Sequence, residues 1–267
     1  MYKRLVAVTL IVLFTLVSPA TAVTNGKLDG NNHPYVGLAV FDVAPGQPAW
    51  RCSGALISPT VFLTAGHCTD GAVAARVWFE PGPDFPGYPY AGGTSIEASA
   101  IYTHPDFCIG CAGGLPGFDT HDVGLLILSQ PVTDKGFATL PTQGFVDTLA
   151  MKTQVTIVGY GVQYKLQISG PPYDRWRGRT RMFAPSLLVQ SNDVISGQYL
   201  KLTANPAKGK GGVCFGDSGG PVLLSRDGNN IVLGVNSFGS NSNCAGLSYA
   251  NRIDTYALQW IQGYLGS

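Results

Sequence analysis

The sequence predicts an all-β fold of sandwich or barrel type, closed by a single C-terminal helix. Three observations predict it. Gly and Pro are abundant, at 35 and 18 of 267 residues, which suits many turns and short strands. Short runs rich in Val, Ile and aromatics recur between Gly/Pro-rich breaks. One segment alone, at the C-terminus, shows clear helical spacing. There is no internal repeat of fixed period and no heptad run.

In chain order, the strand-like runs are Tyr35–Val40, Ala55–Leu63, Arg76–Phe79, Val123–Leu128, Val155–Val158, Val222–Leu224 and Ile231–Val235. Turn residues bound most of them. Pro81 to Gly93 and Ile109 to Gly117 read as Pro/Gly-rich and Gly-rich loops. Pro141 to Gly144 reads as a crossing between two halves. At the end, Asp254 can cap a helix in which Tyr256, Trp260, Ile261 and Leu265 share a face.

The first 22 residues read as a signal peptide. Lys3 and Arg4 form a basic start, and Leu5 to Val17 is an uncharged run of 13 residues. Ser18 and Pro19 break it, and Ala20-Thr21-Ala22 offers a small-residue cleavage site. A membrane span needs about 20 apolar residues, so this run is short for an anchor. The sequence therefore predicts a secreted, extracellular protein with no stable membrane anchor once residues 1–22 are gone. Their removal takes away two basic residues and no acid, moving the formal charge from +1 to −1. With 17 Lys+Arg against 16 Asp+Glu, nothing points to nucleic acid as a partner.

Six cysteines on an exported chain, at 52, 68, 108, 111, 214 and 244, imply disulfides. Sequence alone leaves 15 pairings open. Cys108-Ile109-Gly110-Cys111 lacks a second ligand pair for zinc, and Glu80 and Asp84 fall short of a calcium loop. No metal and no cofactor is expected.

Three segments carry chemistry: Thr64-Ala65-Gly66-His67-Cys68, Asp122-Val123-Gly124-Leu125-Leu126 and Gly216-Asp217-Ser218-Gly219-Gly220-Pro221. A serine hydroxyl becomes a useful nucleophile only when a neighbouring base takes its proton. Imidazole suits that task, and a buried carboxylate can fix its tautomer and stabilise the imidazolium. Two backbone N–H groups in a tight Gly-containing turn can receive the oxyanion. The order His, Asp, Ser matters. An α/β-hydrolase places the histidine after the serine, and no histidine follows Ser218.

On these motifs the chain resembles the chymotrypsin/trypsin-like serine peptidases, over essentially Val23 to Leu265. The resemblance implies two packed six-stranded antiparallel β-barrels with a C-terminal helix. The domain 23–267 would divide into a first barrel at about 23–140, a second at about 141–253 and a helix at about 254–265. It implies a catalytic triad of His67, Asp122 and Ser218, and an oxyanion hole made by the N–H groups of Gly216 and Ser218. It implies an ion pair between a new N-terminal amine on Val23 and Asp217. It places Gly212, Val213, Ser237 and Gly239 at the substrate pocket. Gly212 stands where trypsin-type enzymes carry an aspartate, which implies uncharged residues at P1, the position before the scissile bond. It implies Cys52–Cys68 and Cys214–Cys244 bridges, and leaves Cys108 and Cys111 to each other.

The activity implied is endopeptidase hydrolysis of protein or peptide substrates through an acyl-enzyme, by a monomer. The competing class is a catalytically inactive binding protein on the same fold, which a missing triad residue would betray. Phe238 departs from the usual Trp of the family, and Asn241 to Ala250 aligns poorly. Arg175 to Arg181 carries four arginines in seven residues, which reads as a solvated segment or an exosite for acidic partners.

Overall fold

The computed structural model describes residues 23, 25–112, 118–162, 164–165, 176–177, 179–190, 197–205, 208–242 and 244–266. The segment read as a signal peptide lies outside them, as do residues 113–117 and the arginines at 175 and 177 as side chains.

The first barrel uses β2 (Val36–Ala44), β3 (Gln47–Leu56), β4 (Val61–Thr64), β5 (Ala74–Trp78), β6 (Ile96–Thr103) and β9 (Gly124–Leu128), and β1 (Lys27–Leu28) precedes it. It closes in the order β2-β3-β4-β9-β6-β5. A hairpin of β7 (Cys108–Ala112) and β8 (Phe118–Thr120) projects before β9. The second barrel uses β10 (Gln154–Gly159), β13 (Met182–Gln190), β14 (Tyr199–Ala204), β15 (Pro221–Arg226), β16 (Asn229–Gly239) and β17 (Gly246–Arg252). A small ribbon of β11 (Tyr164–Lys165) and β12 (Trp176–Arg177) lies between β10 and β13 in sequence. Pairing of β13 with β14 closes the second ring. Both barrels are therefore six-stranded and antiparallel, and closure removes the exposed strand edges that an open sheet would leave.

The hydrophobic runs fill these barrels. Phe41, Phe62, Leu63, Trp78, Leu125 and Leu126 are essentially fully buried in the first, and Ile157, Leu200, Leu202, Val222 and Leu233 in the second. Fully burying one such side chain contributes about 1.5–3 kcal/mol.

Three expectations change on contact with the structure. The run Ala55–Leu63 is two strands. Pro59 has no N–H for a ladder, and Ser58 Oγ accepts the Val61 N–H at 3.1 Å, so the chain turns between β3 and β4. Part of the expected loop 109–117 is strand, because Cys108 to Ala112 pairs with Phe118 to Thr120. The C-terminal helix, α2 (Tyr256–Gln262; α1 is the turn Gly66–Thr69), is not capped by Asp254. That carboxylate instead accepts from Val146 N at 2.8 Å and from Arg252 at 2.9 Å.

Each terminus crosses to the other barrel. Strand β1 pairs with Met182 and Phe183 of β13 in the second barrel. Helix α2 buries Ala257 and Ile261 in the core cluster of the first. Between the barrels, Arg181 is fully buried, paired to Asp29 at 2.8 Å and donating to the carbonyls of Val36 and Phe79. The arginine-rich run is thus not uniformly solvated: Arg181 is structural, and Arg179 lies 4.3 Å over the Tyr88 ring.

Candidate active site

His67 sits in α1, the single helical turn that follows β4. The Cys52–Cys68 disulfide ties this turn to β3. Asp122 lies just before β9, after His121, whose φ of +54° swings the chain inward. The Asp122 carboxylate is fully buried. It accepts the His67 backbone N–H at 2.8 Å and the ring Nδ1 at 2.9 and 3.1 Å. The Ser237 hydroxyl donates to the same carboxylate. Burial alone would raise the Asp122 pKa, but the His67 charge and these donors pull it below the ordinary value. The converse holds for His67: burial pulls its pKa down, and Asp122 more than offsets this, leaving it raised. An ionised carboxylate only accepts, so Nδ1 carries the ring proton and Nε2 keeps a lone pair.

The Gly216–Gly220 turn is presented by the second barrel and pinned to the first. Ser53 is the hub. Its N–H donates to Ser218 O at 2.8 Å and its hydroxyl donates to Gly216 O at 2.8 Å. The same hydroxyl accepts the Tyr160 N–H at 2.9 Å. Gly219 has φ +78°, and a Cβ there would overlap Thr64 Oγ1 and the Ser53 carbonyl. Only glycine lets the turn press against Thr64-Ala65, two residues before His67. Among the described residues, Asp217, Gly219 and Gly220 N–H have internal acceptors, whereas Gly216 and Ser218 N–H donate to none. Ser218 Oγ likewise makes no hydrogen bond among them, a looseness common in unliganded sites.

Asp217 is fully buried beneath this turn. It accepts N–H groups from Gly161 at 2.8 Å, Cys214 at 3.0 Å and Val23 at 3.2 Å. A Cβ on Gly161 would collide with its carboxylate. Burial dominates, and the Asp217 pKa is pushed up to about 6 despite those donors and the nearby Arg51 charge. Val23 itself is fully buried.

Beside Ser218 opens a cavity of about 410 Å³ lined by Val213, Cys214, Phe215, Ser237, Phe238, Gly239, Asn241, Ser242 and Cys244. Among these described residues none is charged. Val213, Ser237 and Gly239 lie on its wall, and the Cys214–Cys244 disulfide braces it. Gly212 is not among the lining residues, and a Cβ there would collide with Ala204 and Ser248.

Cys52, His67 and Cys68 lie close enough to suggest metal ligands, but both sulfurs are spent in the disulfide. A second group joins His67 and Asp122 to Asp119, with ligand atoms within 4.8 Å of one another, but the Asp122 oxygens are already saturated by donors. Sequence reasoning overlooked Ser53, Asp119 and the exposed rim residue Phe215. Their neighbours in sequence, Cys52, His121-Asp122 and Cys214, were the available signals. Ser53 carried none of its own, since its partners are backbone groups of another barrel.

The family model described as Trypsin matches residues 29–261. Brachyurin of Leptuca pugilator is 29% identical over 80% of this chain and 88% of its own length. Trypsin of Saccharopolyspora erythraea is 29% identical over 80% of this chain and 86% of its own. Among solved structures, HL collagenase superposes with a TM-score of 0.67 at 21% identity, covering 94% of this chain and 99% of that one.

Proposed function

Since the chain belongs to the trypsin family of serine endopeptidases, we propose that Ser218, His67 and Asp122 form its catalytic triad. Ser218 Oγ attacks the scissile carbonyl as His67 Nε2 takes its proton. The tetrahedral oxyanion lies against the N–H groups of Gly216 and Ser218. His67 then passes its proton to the leaving amine, and water, activated by the same imidazole, hydrolyses the acyl-enzyme. One observation carries the reading: His67 Nδ1 is held by a buried, saturated carboxylate while the two N–H groups flanking Asp217 are left without internal acceptors.

The uncharged cavity supports a preference for uncharged P1 residues, because a desolvated ammonium or guanidinium needs a paired carboxylate there. The leader-like residues 1–22 support export, and cleavage after Ala22 would expose Val23 as the new terminus. The Val23 nitrogen already lies 3.2 Å from Asp217 Oδ2, so its ammonium would form the activating ion pair with little movement. Export then releases an active enzyme directly.

Ser218→Ala tests the reading. The variant keeps its fold by circular dichroism and loses on the order of 10⁶ in kcat. Peptide substrates with Phe or Leu at P1 outrun those with Arg by kcat/KM in the wild type. Undiminished turnover in purified Ser218→Ala, or a clear Arg preference, overturns the respective part.

A further inference from the structure

Asp119 is a carboxylate for which the proposed mechanism has no use. It sits on β8 and is fixed there by two contacts. The Gly110 N–H of β7, within the loop bridged by the Cys108–Cys111 disulfide, donates to Oδ1 at 2.8 Å. The Tyr199 hydroxyl donates to its backbone carbonyl at 3.0 Å. Its carboxylate lies within 4.8 Å of ligand atoms of both His67 and Asp122. Among the described residues no Lys or Arg pairs with it. It is partly buried, and desolvation followed by the Asp122 charge makes its own charge costly. A cation arriving here would pair with the Asp119 carboxylate and relieve that cost, with the buried Asp122 charge adding attraction from behind.

The substrate path brings one side chain to this spot. Strand β15 leaves β16 at Val235, while β17 stays paired with β16 as far as Gly239. The last residues of β16, Ser237 to Gly239, line the cavity beside Ser218. A peptide whose carbonyl reaches Ser218 and whose P1 side chain enters that cavity lies extended along this end of β16. Successive side chains of an extended strand point to opposite faces. The residue before P1 therefore points away from the cavity, toward His67 and Asp119.

We propose that Asp119 is a specificity-determining residue that selects a Lys or Arg side chain at P2, the residue before P1. This rests on the peptidase reading of the same site. It makes the enzyme a reader of a dipeptide of mixed character, cationic then uncharged, rather than of a single residue.

The test uses the mature wild-type enzyme and a fluorogenic peptide series with Phe fixed at P1 and Lys, Arg, norleucine or Glu at P2. Wild type favours Lys and Arg over norleucine by about tenfold in kcat/KM and disfavours Glu, and the preference shrinks at high salt. Asp119→Asn brings the Lys-to-norleucine ratio to within about twofold, and Asp119→Lys turns the preference toward Glu. The ratio, rather than the absolute rate, is the readout, because a purely structural role would scale all four substrates together. Equal turnover of all four by wild type, or a ratio unchanged in both variants, overturns the proposal while leaving the peptidase reading standing. Failure of a fluorophosphonate to label Ser218, with no peptide turned over, removes both.

Discussion

Asp122 and Asp217 are both fully buried, and burial alone would raise the pKa of each, yet the two end on opposite sides of the ordinary carboxylate value. Asp122 ends below the ordinary carboxylate value, and Asp217 is pushed up to about 6. The difference lies in the partners. Asp122 faces an imidazole that can itself become a cation, with the Ser237 hydroxyl and the His67 N–H completing its shell. Among the described residues, the direct donors to Asp217 are three neutral backbone N–H groups, from Val23, Gly161 and Cys214. Neutral donors satisfy hydrogen-bonding capacity but return only part of the cost of desolvating a charge. In the proposed mechanism, the acid–base half of the site therefore has its charge partners in place within the chain as translated. For the turn that carries Ser218, the proposed activation has a terminal ammonium on Val23 supply the counter-charge that neutral donors do not.

Between these two carboxylates, the larger expected effect comes from the acid–base half. Asp122→Asn preserves shape but presents an amide that can donate, so the imidazole loses the partner that fixes its tautomer. kcat should fall by about 10⁴. The acid limb of kcat/KM should also move to lower pH, because Asp122 is what raises the His67 pKa above its ordinary value. Proton NMR of the histidine resonances and a pH–rate profile check this. An unmoved acid limb would mean that the Asp122 charge does not govern His67.

A smaller effect should come from the conditional half. A chain that keeps a few residues before Val23 retains the Val23 N–H bond to Asp217 but not the ammonium. The Gly216 and Ser218 N–H groups then lose part of their orientation. Loss of one such donor costs about 10²–10³ in kcat, and the extended chain should fall in that range. Comparing it with the chain starting at Val23 decides the matter. N-terminal sequencing of secreted Ser218→Ala, which cannot process itself, shows whether export produces that start. Equal kcat in the two forms would mean that the turn is held without the terminus, with Arg51 as the nearest alternative charge.

This asymmetry also marks what was legible in the sequence. Candidate chemistry confined to one segment stood out directly: His67 beside Cys68, Asp122 before an apolar strand, and Ser218 within Gly216-Asp217-Ser218-Gly219. The barrels were legible only as short runs bounded by turns. β13 and β14 went unread because their apolar residues are spaced by Pro185, Ser186, Lys201 and Thr203 instead of forming one run. Contacts between barrels were not legible at all. Ser53 joins β3 to the Gly216–Ser218 turn, 163 residues away from Gly216, through backbone groups that carry no sequence signal. Arg181 looked like one charge in a basic run, and only its fully buried pairing with Asp29 separates it from its neighbours.

The smallest effect is one of stability, and it isolates the Asp217 charge from catalysis. In Ser218→Ala carrying extra residues before Val23, Asp217 should keep the raised folded-state pKa of about 6, against an ordinary value of 3.8. A carboxyl with a raised folded pKa binds its proton more tightly when folded than when unfolded. The folded state therefore loses stability as pH rises from about 4 through about 6, and the loss persists above that range. The pKa difference corresponds to about 3 kcal/mol, or about 6–12 °C in Tm for a domain of this size. In Ser218→Ala starting at Val23, the ammonium stabilises the ionised carboxylate and the loss should largely vanish. Pairing also raises the pKa of that amine above its usual range of about 7.7–8.0, so its own contribution disappears only as pH rises through the raised value. The two forms should thus melt together near pH 4, separate by pH 7, and converge again in alkali. Thermal unfolding of both across this range reads the gap with no substrate present. Parallel Tm curves from pH 4 to 7 would show that Asp217 and Asp122 are equally compensated in the translated chain, which removes the physical basis for a turn that waits on its terminus.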